Sequence, residues 1–355
     1  MEIQELLGET FKKEASDLHL MVGSQPVLRI DGELFPLQDK AILTPEETER
    51  LIFSTLTPEQ KELFLANKEL DFSFTSQNAR FRVNVYFQQG GMAAALRLIP
   101  LRIRTIDELN LPAICHTFGN LRQGFILVTG PTGHGKSTTL AAIINEINQS
   151  RACHIVTIED PIEYVYPKGK SIISQREMHL DTHSWEVALR SCLREDPDVV
   201  LVGEMRDYET ITAALTIAET GHLVFATLHT NSSAQTVDRI VDVFPEHSKS
   251  QVRMQLSGTL EGILSERLIP ALDGGRIPAC EILIATPAVR TTIREGKTHL
   301  IDNIIQTSGE SGMVPLEGAL VRLVKAGKIS TAVAENFALR PEELGRLLRG
   351  RKGSP

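Results

Sequence analysis

The first group of residues that could do chemistry is a glycine-rich segment with one lysine. Residues 124–139 read GFILVTGPTGHGKSTT, in which Gly130 to Ser137 fit the pattern G-x-x-x-x-G-K-[ST] after a short apolar run. Glycine lets backbone N–H groups turn inward around phosphate oxygens, and a following helix adds the positive end of its dipole. The predicted phosphate loop comprises Gly130, Pro131, Thr132, Gly133, His134, Gly135, Lys136, Ser137 and Thr138. We expect Lys136 to bind the β- and γ-phosphates of a nucleotide and Ser137 to hold Mg²⁺.

A glutamate at the end of a second apolar run could complete such a site. Residues 198–207 read DVVLVGEMRD, and Glu204 stands where the apolar run ends. In a parallel sheet, the carboxyl ends of the strands lie at the edge where a phosphate loop also lies. We therefore expect Glu204 to orient or deprotonate the water that attacks the phosphate, and to lie at the metal. An ordinary solvated glutamate is the alternative.

Another apolar run ends in a cluster of acids. Residues 154–158 lead into Glu159, Asp160 and Glu163, so that three carboxylates fall within five residues. Such a cluster is costly to bury, and its members repel one another unless a cation compensates them. A magnesium nucleotide would supply that cation, and we expect Glu159 and Glu163 at the metal. A solvated acidic turn is the alternative.

Two histidines flank a further apolar strand. Residues 222–229 read HLVFATLH, and seven steps of about 3.3 Å would place the two rings about 23 Å apart. Only one of them can therefore contact a γ-phosphate. His229 follows the strand on the side of the predicted crevice, so we expect it to sense phosphate. For His222 we expect a structural or intersubunit role.

Arginines could complete the charge around a γ-phosphate from elsewhere in an assembly, as arginine fingers do. Arg82, Arg97 and Arg104 are candidates in the first hundred residues and just beyond. Arg80 and Arg82 share one face of a predicted strand. A solvated strand face is the alternative for each of them.

Composition limits the class of protein. The chain has 355 residues, 42% of them hydrophobic and 23% charged, which is typical of a globular protein with a sizeable core. No apolar run approaches the roughly 20 residues needed to cross a bilayer, and the N-terminus has no signal-peptide layout, so we expect a cytoplasmic protein. The four cysteines form no C-x-x-C pair. The net charge of −8 argues against a protein that coats nucleic acid, although a basic lining of a pore would escape this count.

The elements that must position these residues fall into two parts. In the first, an amphipathic helix is predicted over 2–15, and Asp31-Gly32 predicts a two-residue hairpin turn. Thr44 and Thr57 each begin a predicted helix, because both open a capping box with proline at the first helical position. Period-two alternation over 70–99 predicts further strands.

In the second part, predicted strands and helices alternate, which indicates a mainly parallel sheet covered by helices on both faces. From residue 246 onward the pattern is mostly helical, interrupted by a strand pair around 276–285. The predicted domains are an α+β domain over 1–99, a linker over 100–110, an α/β domain with a helical C-terminal part over 111–348, and a frayed tail over 349–355.

Four motifs in fixed order carry a family resemblance: GPTGHGKS, IEDPIE, LREDPDVVLVGEMRD and GHLVFATLHTNSS. Shorter segments, among them ASDLHL, RIDG, RFRVN and ISQRE, extend it over nearly the whole chain. Together they resemble the secretion superfamily ATPases that power type II secretion and type IV pili, and among these the pilus retraction ATPases. A tetracysteine zinc element, usual in the assembly and secretion members, is absent from this sequence.

The resemblance implies a RecA-like P-loop ATPase domain with a mainly parallel sheet, preceded by a smaller α+β, PAS-like N-terminal domain. It implies ATP and Mg²⁺ as ligands, a homohexameric ring with ATP bound between the two domains, and an inner-membrane platform protein as partner in retracting pili. Glu163 and Glu204 would act at the metal and the water, and His229 at the phosphate. Arg82 and Arg97 would reach a nucleotide from the N-terminal domain.

The sequence departs from the family pattern in two places. His134 stands where the loop of the family usually has serine. The family's retraction signature AIRNLIRE appears as AVRTTIRE over 288–295, in which Arg290 and Arg294 are expected to share a helix face that could dock a partner. These departures keep open an accessory retraction ATPase, or a type II secretion or pilus assembly ATPase. A nucleic-acid translocase and a nucleotide switch without turnover are alternatives of other classes.

Overall fold

The computed structural model describes residues 1–13, 15–30, 32–76, 79–99 and 102–349. These residues form two compact units. The first comprises Met1–Arg102 together with Pro161–Val165, and the second comprises Ile103–Asp160 and the chain from Tyr166 onward. Residues 100, 101 and 350–355, which belong to the predicted linker and tail, lie outside the described residues, as does Asp31 of the predicted hairpin turn. The predicted domain limits stay predictions.

The first unit contains a six-stranded antiparallel sheet in the order β3-β2-β1-β6-β5-β4. Its elements are α1 (Ile3–Lys12), β1 (Asp17–Met21), β2 (Val27–Ile30), β3 (Glu33–Pro36), α2 (Pro45–Phe53), α3 (Pro58–Asn67), β4 (Glu69–Ser76), β5 (Ala79–Gln88) and β6 (Gly91–Ile99). The alternation in β5 buries Phe81, Val83 and Val85 in one apolar core with α1 and α2 residues. The strands predicted over 70–99 are therefore confirmed.

Both predicted helix starts in this unit are capped as expected. The Thr44 hydroxyl accepts from the backbone N–H of Glu47, and the Glu47 carboxylate accepts from the backbone N–H of Thr44, each at 3.2 Å. Thr57 and Gln60 form the same reciprocal pair at the start of α3. Each box satisfies two N–H groups that a helix start leaves without intrahelical partners.

The second unit contains a seven-stranded sheet in the order β13-β12-β7-β11-β10-β8-β9. Its first elements are α4 (Ile114–Asn120), β7 (Gly124–Thr129), α5 (Lys136–Ser150), β8 (His154–Glu159), β9 (Ile172–Glu177), α6 (Trp185–Cys192), β10 (Val199–Val202), α7 (Tyr208–Glu219) and β11 (Leu223–Leu228). Then follow α8 (Ser233–Asp242), α9 (Glu246–Thr259), β12 (Leu260–Pro270), β13 (Arg276–Ile284), α10 (Pro287–Arg294), α11 (Ile301–Thr307), α12 (Leu316–Lys325), α13 (Thr331–Phe337) and α14 (Pro341–Arg349), with short 3₁₀ turns at Thr298–Leu300 and Gly309–Ser311. Every neighbouring pair is parallel except β12 and β13, which form an antiparallel hairpin.

Alternate residues of the central strands face two different cores. Phe125 and Leu127 of β7 pack with side chains of α6 to α10, whereas Ile126 and Val128 pack with side chains of α4 and α5. All four side chains are fully buried. A strand buried on both faces needs a continuous apolar run rather than alternation, which is the pattern that β7 shows. The predicted sheet with helices on both faces is confirmed.

Several elements were not predicted from the sequence, among them α8, an edge strand and a short helix. The edge strand β9 is only partly buried, so it needs no continuous apolar run. Its sequence, IISQRE, accordingly lacks the apolar pattern by which the neighbouring strands were predicted. The helix α4 reads ICHTFGN, which is short and poor in strong helix formers. Among the described residues, no helix is long and apolar enough to cross a membrane.

Candidate functional site

The strand order of the second sheet brings three predicted site segments together. β7, β11 and β10 are parallel neighbours in that order. The phosphate loop follows β7, His229 follows β11, and Glu204 follows β10. Because the carboxyl ends of parallel strands meet at one edge of the sheet, these segments lie side by side at that edge.

Lys136 begins α5 and folds back over the loop. Its side chain is buried, and Nζ donates to the carbonyl oxygens of Gly130 at 2.9 Å and Pro131 at 3.0 Å. Gly135, directly before the helix, has φ +98°, in the left-handed region that glycine enters without strain. The ammonium group is therefore held inside the curve of the loop, where the motif places phosphate oxygens.

His229 connects the loop to Glu204. Its Nδ1 lies 3.1 Å from the Thr132 hydroxyl and 3.4 Å from Lys136 Nζ, and its Nε2 lies 3.1 Å from Glu204 Oε1. Because the ammonium can only donate and the carboxylate can only accept, this network assigns the ring proton to Nε2 and leaves Nδ1 as an acceptor. The phosphate loop, the histidine and the glutamate thus form one hydrogen-bonded chain.

Glu204 is held as a charged carboxylate. Arg206 Nη2 donates to its Oε2 at 2.7 Å. Burial alone would raise the pKa of Glu204, but the hydrogen bond from Arg206 and the positive charge around the carboxyl outweigh burial and lower that pKa. An ionised carboxylate beside a phosphate loop can accept a proton from water or bind a hard cation.

Glu159 lies farther from the loop. Its strand, β8, is the third neighbour of β7 in the sheet, which at about 4.8 Å per strand places the two strands about 14 Å apart. Glu159 Oε1 accepts from the Thr157 hydroxyl at 2.7 Å and from Gln175 Nε2 at 3.3 Å. Within the described part of the chain, no three His, Cys, Asp or Glu side chains are grouped to hold a metal by themselves.

Three other predicted site residues belong to the first unit. Glu163 lies in the segment Pro161–Val165 that groups with this unit. Arg82 and Arg97 face each other across β5 and β6, and Arg97 Nε donates to Asp17 Oδ1 at 3.0 Å. Their roles stay predictions.

His222 lies at the opposite end of β11 from His229. Its Nδ1 is 3.0 Å from both the Thr220 hydroxyl and the carbonyl oxygen of Ile217. It therefore stabilises the turn between α7 and β11. This contact is consistent with a structural role, which was one of the two roles expected for His222.

In the segment 288–295, which resembles the retraction signature, the two arginines make different contacts. Arg290 turns inward and donates to the carbonyl oxygens of Ala285, Ser257 and Gly258 and to the Glu261 carboxylate. Arg294 stays exposed, with Nη2 3.2 Å from the Thr291 hydroxyl. Carbonyls near the end of α9 thus accept from the Arg290 guanidinium, which gives this side chain an internal structural role. The docking role stays a prediction.

Sequence reasoning missed Glu266 on β12. This side chain is 2% exposed, and its Oε2 accepts from the Thr139 hydroxyl of α5 at 2.6 Å. The only sequence signal is a glutamate, flanked by Ser265 and Arg267, inside a largely apolar strand, ILSERLI. A charged residue in such a run is buried only when it has a polar partner, but the partner lies 127 residues away in the chain.

Comparisons with known proteins agree with this geometry. A family profile described as type II/IV secretion system protein matches residues 1–311. The chain is 47% identical over 348 residues to the type IV pilus retractation ATPase PilT of Pseudomonas aeruginosa, covering 96% of this chain and 99% of that one. It is 48% identical over 321 residues to a twitching motility protein of Neisseria gonorrhoeae, covering 90% of this chain and 86% of that one.

A solved structure shares the whole fold. The crystal structure of the pilus retraction motor PilT with bound ADP superimposes with a TM-score of 0.90 at 46% identity, covering 98% of this chain and 99% of that one. The predicted fold class, a RecA-like α/β domain with a mainly parallel sheet preceded by a smaller α+β domain, is thereby confirmed. The chain belongs to the type II/IV secretion system protein family.

Proposed function

We propose that this protein is an ATP-hydrolysing motor that drives retraction of type IV pili. The observation that carries the proposal is the hydrogen-bonded chain from Lys136 through His229 to Glu204 at one edge of the parallel sheet. The protein is similar along almost its full length to a pilus retractation ATPase and to a retraction motor with bound ADP, and this similarity supports the same conclusion.

Each residue of the hydrogen-bonded chain has a distinct role in this proposal. The loop N–H groups and Lys136 bind the β- and γ-phosphates and neutralise charge that develops as the terminal phosphoryl group leaves. Glu204, kept ionised by Arg206, orients and deprotonates the attacking water. His229 contacts both Lys136 and Glu204. Loss of the γ-phosphate would therefore alter the hydrogen bonds of His229 and, through them, the position of Glu204.

The donor set of the site fits Mg²⁺. A nucleotide-bound magnesium ion takes one or two protein oxygens and completes its shell with phosphate and water oxygens, so it needs no cage of three acidic residues. The Ser137 hydroxyl and the ionised Glu204 would hold it, and Glu159 would reach it through water. A role for Glu163 at the metal is proposed from the sequence resemblance alone. When bound, the ion polarises the phosphoryl oxygens and offsets their charge.

The assembly belongs to the proposal as well. We propose a homohexamer in which Arg82 and Arg97 complete the charge around a neighbouring subunit's nucleotide, and an inner-membrane platform protein that receives the motion. The proposed domains are 1–99 and 111–348, joined by the linker over 100–110. The resemblance in sequence supports these statements.

Purified protein provides the test. We expect hexamers by light scattering and magnesium-dependent release of phosphate from ATP. Deletion of the gene is expected to leave extended pili that do not retract. A monomer without ATPase activity contradicts the proposal. A deletion strain that retracts pili but does so weakly under load indicates the accessory retraction role instead.

A further inference from the structure

The strand β12 lies directly against the predicted phosphate loop. Ser265 of β12 pairs with Thr129, the last residue of β7, and their hydroxyls lie 2.8 Å apart. The next residue of β12, Glu266, therefore stands at the point where the loop begins. A Cβ on Gly130 would lie 2.3 Å from the Glu266 carbonyl oxygen, so only glycine fits at this closest approach.

The Glu266 side chain reaches the other end of the loop. Its Oε2 accepts from Thr139 in the first turn of α5, and a Cβ on Gly135 would lie 2.4 Å from its Oε1. One residue of β12 thus contacts the loop where it leaves β7 and where it enters α5.

A second contact holds the middle of the loop. The backbone N–H of Leu268 donates to His134 Nδ1 at 3.1 Å. Burial, with the nearby charges of Arg267 and Arg276, lowers the pKa of His134, which keeps the ring neutral and able to accept. The histidine that departs from the family pattern is therefore used as a side-chain link to β12.

We propose that Glu266 is a positioning residue for the phosphate loop, and that the charge on its carboxyl group sets how tightly the loop holds the phosphates of a nucleoside di- or triphosphate. This inference rests on the proposed nucleotide-binding function and adds a residue and a means of regulation to it.

The groups that face Glu266 come from three elements. Lys136 of α5 is the cation that acts on it, and Thr139 of the same helix donates to it. Cys280 lies opposite on β13, and Cys115 of α4 is close enough to interact with it electrostatically. Burial raises the pKa of the Cys115 thiol to about 12 and that of Cys280 well above its usual range, so both thiols stay neutral.

The direction of the effect follows from these charges. Burial raises the pKa of Glu266 to about 7, although Thr139 and Lys136 act to lower it. Above that pH the carboxylate opposes phosphate through its negative charge and competes for Lys136. Below it the neutral carboxyl leaves the full charge of Lys136 to the phosphates. Nucleotide affinity should therefore fall as the pH rises through about 7.

The test compares the affinity of wild type and Glu266→Gln for ADP without divalent cations, by calorimetry between pH 5.5 and 8.5. The ratio of the two dissociation constants cancels the titration of ADP and of every other group. If bound phosphate raises the pKa of Glu266 by about one unit, the dissociation constant of wild type divided by that of Glu266→Gln rises about tenfold from the acid to the alkaline limit. A ratio that stays flat overturns the proposal.

Two further variants complete the design. Thr139→Val keeps the carboxyl group but removes a donor that favours its charged form, so the midpoint of the pH dependence should move to higher pH. An unmoved midpoint also overturns the proposal, even if Glu266→Gln does not fold. Glu281→Gln is the matched control, because Glu281 is a buried glutamate on β13 whose pKa burial also raises, and it should keep the wild-type pH dependence. Wild type that binds no ADP at any pH refutes the proposed function itself.

Discussion

Arg290 offers a test of whether the retraction-like segment is a docking surface or an internal clamp. Its guanidinium donates to three backbone carbonyls at 2.9, 3.0 and 3.0 Å and to Glu261 at 2.7 Å, and its side chain is 25% exposed. Replacing it by alanine leaves the carbonyls at the end of α9 and the Glu261 carboxylate without this cation. We therefore predict that Arg290→Ala destabilises the second unit.

The magnitude follows from the number and kind of the bonds. A net hydrogen bond contributes about 1 kcal/mol and one to a charged partner about 2 kcal/mol, so four of them sum to about 5 kcal/mol. Partial exposure lets water replace some of these bonds, which reduces the expected loss to about 3 kcal/mol. Arg294→Ala, four residues along the same helix, removes only a contact with Thr291 and should cost less than about 0.5 kcal/mol.

Urea unfolding followed by tryptophan fluorescence measures this difference. The single tryptophan, Trp185, packs against the core of the second unit and so reports on the correct part of the molecule. Equal unfolding midpoints for Arg290→Ala and Arg294→Ala would refute the clamp.

Two further predictions concern the loop and its support. The raised pKa of Glu266 means that the folded state prefers the neutral acid, so wild type loses stability as the pH rises from 4.5 to about 7. At about 1.4 kcal/mol per pKa unit, this loss of unfolding free energy reaches about 3 kcal/mol. Glu266→Gln should not show the loss when urea unfolding is compared at pH 5 and pH 8. A stability difference between the two proteins that does not change with pH contradicts this prediction. Gly130→Ala should abolish nucleotide binding, because its Cβ would lie 2.3 Å from a backbone oxygen at φ +145°, whereas Gly133→Ala, which is strained by its φ of +78° but has open space around its Cβ, should weaken binding much less. Equal loss of ADP binding in both variants would show that the contact with β12 is unimportant.

Structure could be predicted from the sequence wherever a short segment determines its own conformation. The capping boxes at Thr44 and Thr57, the period-two strands of the first unit and the strand, loop and helix around Lys136 are all of this kind. Local backbone and side-chain preferences decide them.

The remaining features depend on contacts between distant parts of the chain. Sequence placed His229 and Glu204 at the carboxyl ends of strands, but only the order β7-β11-β10 shows that the histidine lies between the loop and the glutamate. Glu266 and Arg290 could not be assigned for the same reason, since their partners are fixed by how β12 and α9 pack. The polar edge strand β9 was missed because an edge needs no apolar run.

The most direct test of the proposed hydrolytic site is the ATPase activity and nucleotide affinity of Glu204→Gln. Glutamine keeps the size of the side chain and a hydrogen bond with Arg206 but cannot accept a proton from water. We predict that the hydrolysis rate falls by at least about a hundredfold while ADP binds within a few-fold of wild type. Turnover at the wild-type rate would contradict the role of Glu204 and, with it, the proposed chain from the phosphate loop through His229 to the attacking water.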